Sequence, residues 1–114
     1  ETKISISYLS KGNGSTILCL HGLGLNAESF KPQLNELSDE FNVIAWNMPN
    51  LGVSSSKAMN FDNLANAGFQ LLDSIDIKTC HVVGHSMGGM IAIEMALIKP
   101  DRIKSISLFL TKSS

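Results

Sequence analysis

The segment Gly84-His85-Ser86-Met87-Gly88 combines residue types and a spacing that could support nucleophilic catalysis. It directly follows a short apolar run at 80–83 and directly precedes an apolar stretch of helical length at 87–98. A serine at such a sharp strand-to-helix turn projects its hydroxyl above the sheet, and the first N–H groups of the helix face any anion formed there. We therefore predict that Ser86 is a nucleophile and that the Met87 N–H stabilises an oxyanion. A glycine-rich turn with a serine helix cap is the alternative without chemistry.

The two glycines of this segment, Gly84 and Gly88, have a predicted steric role. The backbone of a serine in such a turn is strained, and the strand and helix on either side of it lie close together. We expect that a side chain at either glycine would collide with the neighbouring strand or helix.

Two more segments interrupt apolar runs with turn-forming and polar residues. His21-Gly22-Leu23-Gly24 follows the apolar run at 16–20, and Asn47-Met48-Pro49-Asn50-Leu51-Gly52-Val53-Ser54 follows the run at 41–46. Runs of this length, bounded by glycine or proline, are typical of strands buried on both faces of a sheet. We therefore place each of these segments at the end of a strand.

The elements between these segments alternate in type. The pattern predicts strands at 3–9, 16–20, 41–46, 80–83 and 103–110, and helices at 30–37, 61–75 and 87–98. Strands that alternate with helices favour an α/β fold with a mostly parallel sheet of about five strands and helices on both faces. The polar–apolar alternation at 3–9 indicates an edge strand, and the nearly uncharged helix at 87–98 is expected to be enclosed on most sides. The whole chain, 1–114, is assigned to one domain without a linker.

In their order and spacing, the three segments resemble the α/β-hydrolase superfamily along nearly the whole chain. The resemblance is closest to its esterase, lipase and carbon–carbon hydrolase branch. It implies that the loop after the second strand donates the other oxyanion N–H from Leu23, and that His21 and Gly22 shape this loop. The third segment departs from the family pattern at Asn47, where the family tends to have Asp, and at Asn50, where it tends to have Gly. Any charge role at Asn47 is therefore in doubt.

The expected catalytic base is missing from this chain. A serine hydroxyl needs a positioned base, and the family order is Ser, then an acid, then His. The three histidines, at 21, 81 and 85, all precede the predicted nucleophile. We interpret His85 as structural, because the residue before the nucleophile points elsewhere in such a turn, and His81 as a core imidazole. The later acids, Glu94 and Asp101, belong to the last helix and its exit, where the family does not place its acid.

Composition narrows the function further. At 44% hydrophobic residues and a formal net charge of −1, the chain reads as a globular domain without the electrostatic signature of a nucleic-acid or anionic-membrane binder. No apolar run reaches the length of a membrane span, so we expect a cytoplasmic protein. Cys19 and Cys80 are interpreted as buried thiols, with neither a disulfide nor a metal, and no cofactor is expected.

Three hypotheses remain open from the sequence. The preferred one is an incomplete chain of a serine hydrolase that acts on an ester, a related acyl bond or a carbon–carbon bond of a small-molecule acyl substrate, through an acyl-enzyme on Ser86. It lacks the cap and the C-terminal strands that carry acid and base, and is expected to be inactive alone. The second is a non-catalytic hydrolase-like binding protein, and the third is half of a split enzyme completed by a second chain. Serine at the nucleophile position argues against the haloalkane dehalogenase and epoxide hydrolase branches, which use a carboxylate.

Overall fold

A computed structural model of the protein describes residues 5–49 and 60–109. The described strands are β1 (Tyr8–Lys11), β2 (Ser15–Leu20), β3 (Phe41–Trp46), β4 (Cys80–His85) and β5 (Ile103–Phe109). The described α-helices are α1 (Lys31–Leu37), α2 (Phe61–Ser74) and α3 (Met87–Ile98). Short 3₁₀ turns, Ala27–Phe30 and Pro100–Arg102, lead into α1 and β5.

The five strands form one sheet in the order β1-β3-β2-β4-β5. β1 pairs antiparallel with β3, and the other neighbouring pairs are parallel. β2 lies at the centre of the sheet and pairs with β3 on one side and β4 on the other. Its residues 16–20 are all buried. The predicted α/β fold with a mostly parallel sheet is confirmed.

Helices cover both faces of the sheet, and each face has its own core. On one face, Phe30 and Leu34 pack over the β2 and β3 side chains Ile17, Cys19 and Val43. On the other face, α2 and α3 pack over the alternate residues of the same strands, with a cluster that includes Leu18, Leu20, Ile44, Trp46, Leu64, Leu72, Ile91 and Met95. Each large apolar side chain buried in this way contributes roughly 1.5–3 kcal/mol.

Two sequence-based expectations about element positions and burial were wrong. The first strand begins at Tyr8, not at residue 3; Ser5–Ser7 lie outside any strand, and 3–4 lie outside the described residues. β1 is placed by its pairing with β3, from Tyr8 opposite Trp46 to Lys11 opposite Val43. Its edge position, by contrast, agrees with the sheet order.

The second correction concerns α3, which was expected to be enclosed on most sides. Its residues Met90, Ile93 and Leu97 are 55%, 43% and 72% exposed. They recur at helical spacing, so they form one outward apolar stripe, while Ile91 and Met95 face the core. β5 is similarly open, with Leu108 and Phe109 exposed. Uniform hydrophobicity in α3 therefore reflects two apolar faces, of which the described structure covers one.

Candidate active site

Ser86 lies between β4 and α3 at the carboxyl end of the sheet, with backbone angles of φ 58° and ψ −116°. It is one of two described residues other than glycine with positive φ. Its N–H donates to the carbonyl of Phe109 on β5 (2.9 Å), and its own carbonyl accepts from the Gly89 N–H (2.8 Å). Neighbouring strand and helix therefore hold an unfavourable backbone conformation in place. The residue is exposed, at the edge where parallel sheets place ligands.

Close packing explains the glycines around Ser86. A Cβ on Gly84 would lie 2.6 Å from the Gly89 nitrogen and 2.7 Å from the Gly88 carbonyl oxygen. A Cβ on Gly88 would lie 2.8 Å from the His21 carbonyl oxygen and would also collide with the Leu20 carbonyl. These obstacles are backbone atoms that cannot turn away. The start of α3 therefore packs directly against the ends of β2 and β4.

The loop after β2 lies beside Ser86. A Cβ built on Gly22 would be 3.3 Å from the Ser86 Cβ and 3.3 Å from the His85 carbonyl oxygen. Residues 22–25 form a β-turn closed by the Leu25 N–H to the Gly22 carbonyl (3.2 Å), and Gly24 has φ 82°. Positive φ at the third position is typical of a type II turn, and the N–H of the second residue, Leu23, is not used by that turn's hydrogen bond.

His21 fixes the peptide group that carries the Leu23 N–H. The Met48 N–H donates to His21 Nε2 (3.0 Å), so this nitrogen carries no proton in this arrangement. The proton of the ring then lies on Nδ1, which donates to the Gly22 carbonyl (2.8 Å). The same carbonyl accepts from Leu25. Because the peptide bond is planar and trans, fixing the Gly22 carbonyl also fixes the opposite direction of the Leu23 N–H.

The other two histidines make cross-strand contacts between β4 and β5. The His85 ring stacks on Phe109 at 4.8 Å between centroids. The Nδ1 of His81 lies 2.7 Å from the Ser105 hydroxyl, so this imidazole has a polar partner. His81 is only half-buried, however, which contradicts its interpretation as a core residue. On this face, α1 packs over the side chains of β2 and β3, whereas His81 lies on β4 and is only partly covered. The sequence alone does not show which strands the helix covers.

Asn47 carries contacts that the sequence did not predict. Its side-chain oxygen accepts from the Ala27 N–H (2.8 Å), and its side-chain nitrogen donates to the Ser7 hydroxyl (2.9 Å). Its backbone N–H also donates to the Ser7 carbonyl (2.8 Å). The only feature of the sequence that drew attention to this position was its departure from the family pattern, which tends to have Asp there. Asn50, the other departure, lies outside the described residues, as do residues 51–54 of that segment.

The two cysteines are free and fully buried, on opposite faces of the sheet. Burial raises the pKa of Cys19 to about 12. Burial also raises the pKa of Cys80, to about 11, although the charges of Arg102 and Lys104 oppose that shift. In residues 5–49 and 60–109, no group of three or more His, Cys, Asp or Glu side chains is arranged to hold a metal ion.

The architecture and the serine turn together define a class of protein. Residues 15–111 match the family described as alpha/beta hydrolase fold. The chain belongs to this family, which confirms the resemblance seen in the sequence.

Among curated proteins, two relatives are informative. The chain is 36% identical over 108 residues to the dihydrolipoyllysine-residue acetyltransferase component of the acetoin cleaving system of Cupriavidus necator, covering 92% of this chain and 29% of that protein. It is 26% identical over 103 residues to (E)-2-((N-methylformamido)methylene)succinate hydrolase of Acinetobacter baylyi, covering 89% of this chain and 39% of that enzyme. The chain thus spans about a third of the length of these relatives.

Solved structures agree on the fold. An α/β hydrolase from the metagenome of Mar Chica lagoon sediments superposes with a TM-score of 0.81 at 21% identity, over 95% of this chain and 49% of that one. A meta-cleavage product hydrolase from Pseudomonas fluorescens IP01 superposes with a TM-score of 0.79 at 25% identity, over 89% of this chain and 39% of that one. No described helix is long and apolar enough to cross a membrane.

Proposed function

We propose that this chain is the nucleophile-bearing part of a serine hydrolase that cleaves an ester, a related acyl bond or a carbon–carbon bond. The observation that carries the proposal is the strained, exposed backbone of Ser86 at the carboxyl end of β4. Strain of this kind persists where surrounding structure imposes it, and it occurs preferentially at functional sites. A curated relative and a solved structure support the reaction class, because the first is named a succinate-derivative hydrolase and the second a meta-cleavage product hydrolase.

In this mechanism the Ser86 hydroxyl attacks the substrate carbonyl after a base removes its proton. A tetrahedral intermediate forms, and the Leu23 and Met87 amides donate hydrogen bonds to its oxyanion. The leaving group takes up a proton, the acyl group remains on Ser86, and water then releases the acid. Each oxyanion donor is expected to contribute about 3–4 kcal/mol to lowering the barrier.

The acid and base are proposed to come from polypeptide that packs against β5 and α3. The described surface there is apolar, with Met90, Ile93, Leu97 and Leu108 all exposed. The edge of β5 that faces away from β4 has no strand partner among the described residues. Apolar patches and open strand edges of this kind are typical of contact surfaces. A later part of the same polypeptide or a second chain would both fit this role.

Labelling with a fluorophosphonate, measured by intact mass, tests the proposal. We expect the 114-residue chain alone to be inert, and the full-length gene product that contains it to take up one equivalent on Ser86. Ser86→Ala should abolish the uptake, and Ser54→Ala, a serine of the third segment, serves as the control. A folded full-length product that is not labelled, either alone or together with any protein that co-purifies with it, would contradict serine hydrolysis. It would leave a non-catalytic binding protein as the better explanation.

A further inference from the structure

Two consecutive residues directly after β3, Asn47 and Met48, hold both ends of the loop that carries Leu23. The Met48 N–H donates to His21 at the start of this loop, and the Asn47 side-chain oxygen accepts from the Ala27 N–H at its end. We propose that Asn47 is a positioning residue for the Leu23 amide. This inference rests on the proposed function, because it assigns a purpose to the direction of that amide.

The Ala27 N–H depends on Asn47 for its hydrogen bond. The first N–H groups of a helix or 3₁₀ turn have no acceptor within the turn. Asn26, which caps this turn, directs its side-chain oxygen to the Glu28 N–H (2.9 Å), not to Ala27. Ala27 is only 1% exposed, so water is a poor substitute. Loss of the Asn47 acceptor would therefore leave a buried donor without a partner.

The orientation of the Asn47 amide is determined by its three contacts. An N–H such as that of Ala27 can only donate, so the atom facing it must be the side-chain oxygen. The nitrogen then faces the Ser7 hydroxyl, and the backbone N–H of Asn47 is held by the Ser7 carbonyl. Ser7, in the segment that leads into β1, therefore holds the Asn47 side chain in place.

Anchoring at both ends restricts the whole loop. His21 fixes the Gly22 carbonyl at one end, and Asn47 fixes Ala27 at the other. The turn between them has little freedom to rotate the Leu23 peptide group. Donors that are fixed before the reaction need no reorganisation when the anion forms.

Amide hydrogen exchange measured by NMR on the 114-residue chain tests this inference. In Asn47→Ala, we expect the Ala27 amide to exchange about tenfold faster and the Leu23 amide resonance to shift. Asn47→Asp should restore slow exchange, because a carboxylate oxygen accepts from Ala27 and the Ser7 hydroxyl can turn to donate. Asn42→Ala is the matched control, because Asn42 lies at the opposite end of β3 from Asn47 and its side-chain nitrogen donates to the Thr16 hydroxyl (3.3 Å).

An unchanged Ala27 exchange rate or an unshifted Leu23 amide resonance in folded Asn47→Ala would overturn the inference, as would an equal acceleration of Ala27 exchange in Asn42→Ala. If Asn47→Ala does not fold, Ser7→Ala provides the test, because it removes one anchor of the amide while leaving Asn47 in place. It should give a smaller acceleration at Ala27, and no change there would be contrary evidence. None of these measurements depends on Ser86 reactivity, so failure of the inference is distinguishable from failure of the proposed function.

Discussion

At the residue scale, the backbone contacts of Ser86 and the side-chain contacts of His21 hold the site in place. Ser86 has positive φ because its N–H bonds to β5 and its carbonyl bonds to α3 within one turn. His21 acts through a single tautomer that accepts from Met48 and donates to Gly22. Both residues therefore depend on hydrogen-bond partners that are distant in the sequence.

The strain at Ser86 predicts a difference between two small substitutions. Ser86→Gly should be more stable than Ser86→Ala by about 1 kcal/mol, because glycine adopts positive φ without steric penalty while alanine keeps the Cβ. Urea unfolding of both variants measures this difference. Because both variants lack the serine hydroxyl, any effect of losing it cancels in the comparison. Equal stabilities would indicate that the backbone at Ser86 is not strained.

At the element scale, local hydrogen bonds explain where the helices end. α2 begins after Asn60, whose side-chain oxygen accepts from the Asn63 N–H (3.0 Å). At its other end, the Ile77 N–H donates to the Leu72 carbonyl (2.8 Å) and the Asp76 N–H donates to the Asp73 carbonyl (3.2 Å). This is the Schellman arrangement, which normally places glycine where this chain has Asp76.

The end of α2 therefore offers a stabilising substitution. Asp76 has φ 62°, so Asp76→Gly should raise the free energy of unfolding by about 0.5–1 kcal/mol, after allowing for the greater flexibility of glycine in the unfolded chain. Thermal or urea unfolding measures it. Asp39→Gly, in the turn after α1, is the control and should be neutral or destabilising. A destabilised Asp76→Gly would show that the aspartate side chain contributes more than its backbone costs.

At the scale of the whole molecule, the sheet separates two cores, each with one thiol. Cys19 lies in the core under α1, and Cys80 lies in the core under α2 and α3. Their raised pKa values make stability depend on pH. Unfolded thiols ionise above the ordinary pKa of 9.0, whereas the folded thiols keep their protons until about 12 and 11. Protonation thus stabilises the folded state below pH 9, and this stabilisation is lost as the pH rises.

The two thiols predict a steep alkaline limb of the stability curve. Between pH 9 and 11, each thiol should lower the free energy of unfolding by up to about 1.4 kcal/mol per pH unit. Urea unfolding across this range measures the slope, and Cys19→Ala and Cys80→Ala should each reduce it. At pH 7 both thiols are protonated in the folded and the unfolded state. Comparing each variant with the unsubstituted chain at that pH therefore measures the cost of the cavity separately from the effect of the thiol's ionisation. Unchanged slopes in both variants would rule out the thiols as its origin.

The sequence by itself determined most of the elements, because apolar runs and helical spacing are local properties. The strand at 41–46 and the helix at 87–98 were predicted with the bounds that the structure has. The serine turn was also recognisable, because its glycines and the flanking strand and helix are contiguous. The sequence further indicated α/β topology, since alternating elements leave few ways to bury both faces of a parallel sheet.

Tertiary structure alone decided which surfaces are covered and how the loop beside Ser86 is held. The start of β1 follows its register against β3, and the exposed stripe of α3 follows the packing of neighbouring elements. Asn47 contacts Ala27 and Ser7, which are 20 and 40 residues away. Such contacts depend on chain segments that meet only in the folded sheet. No local periodicity encodes them, so the contacts of Asn47 became visible only in the folded structure.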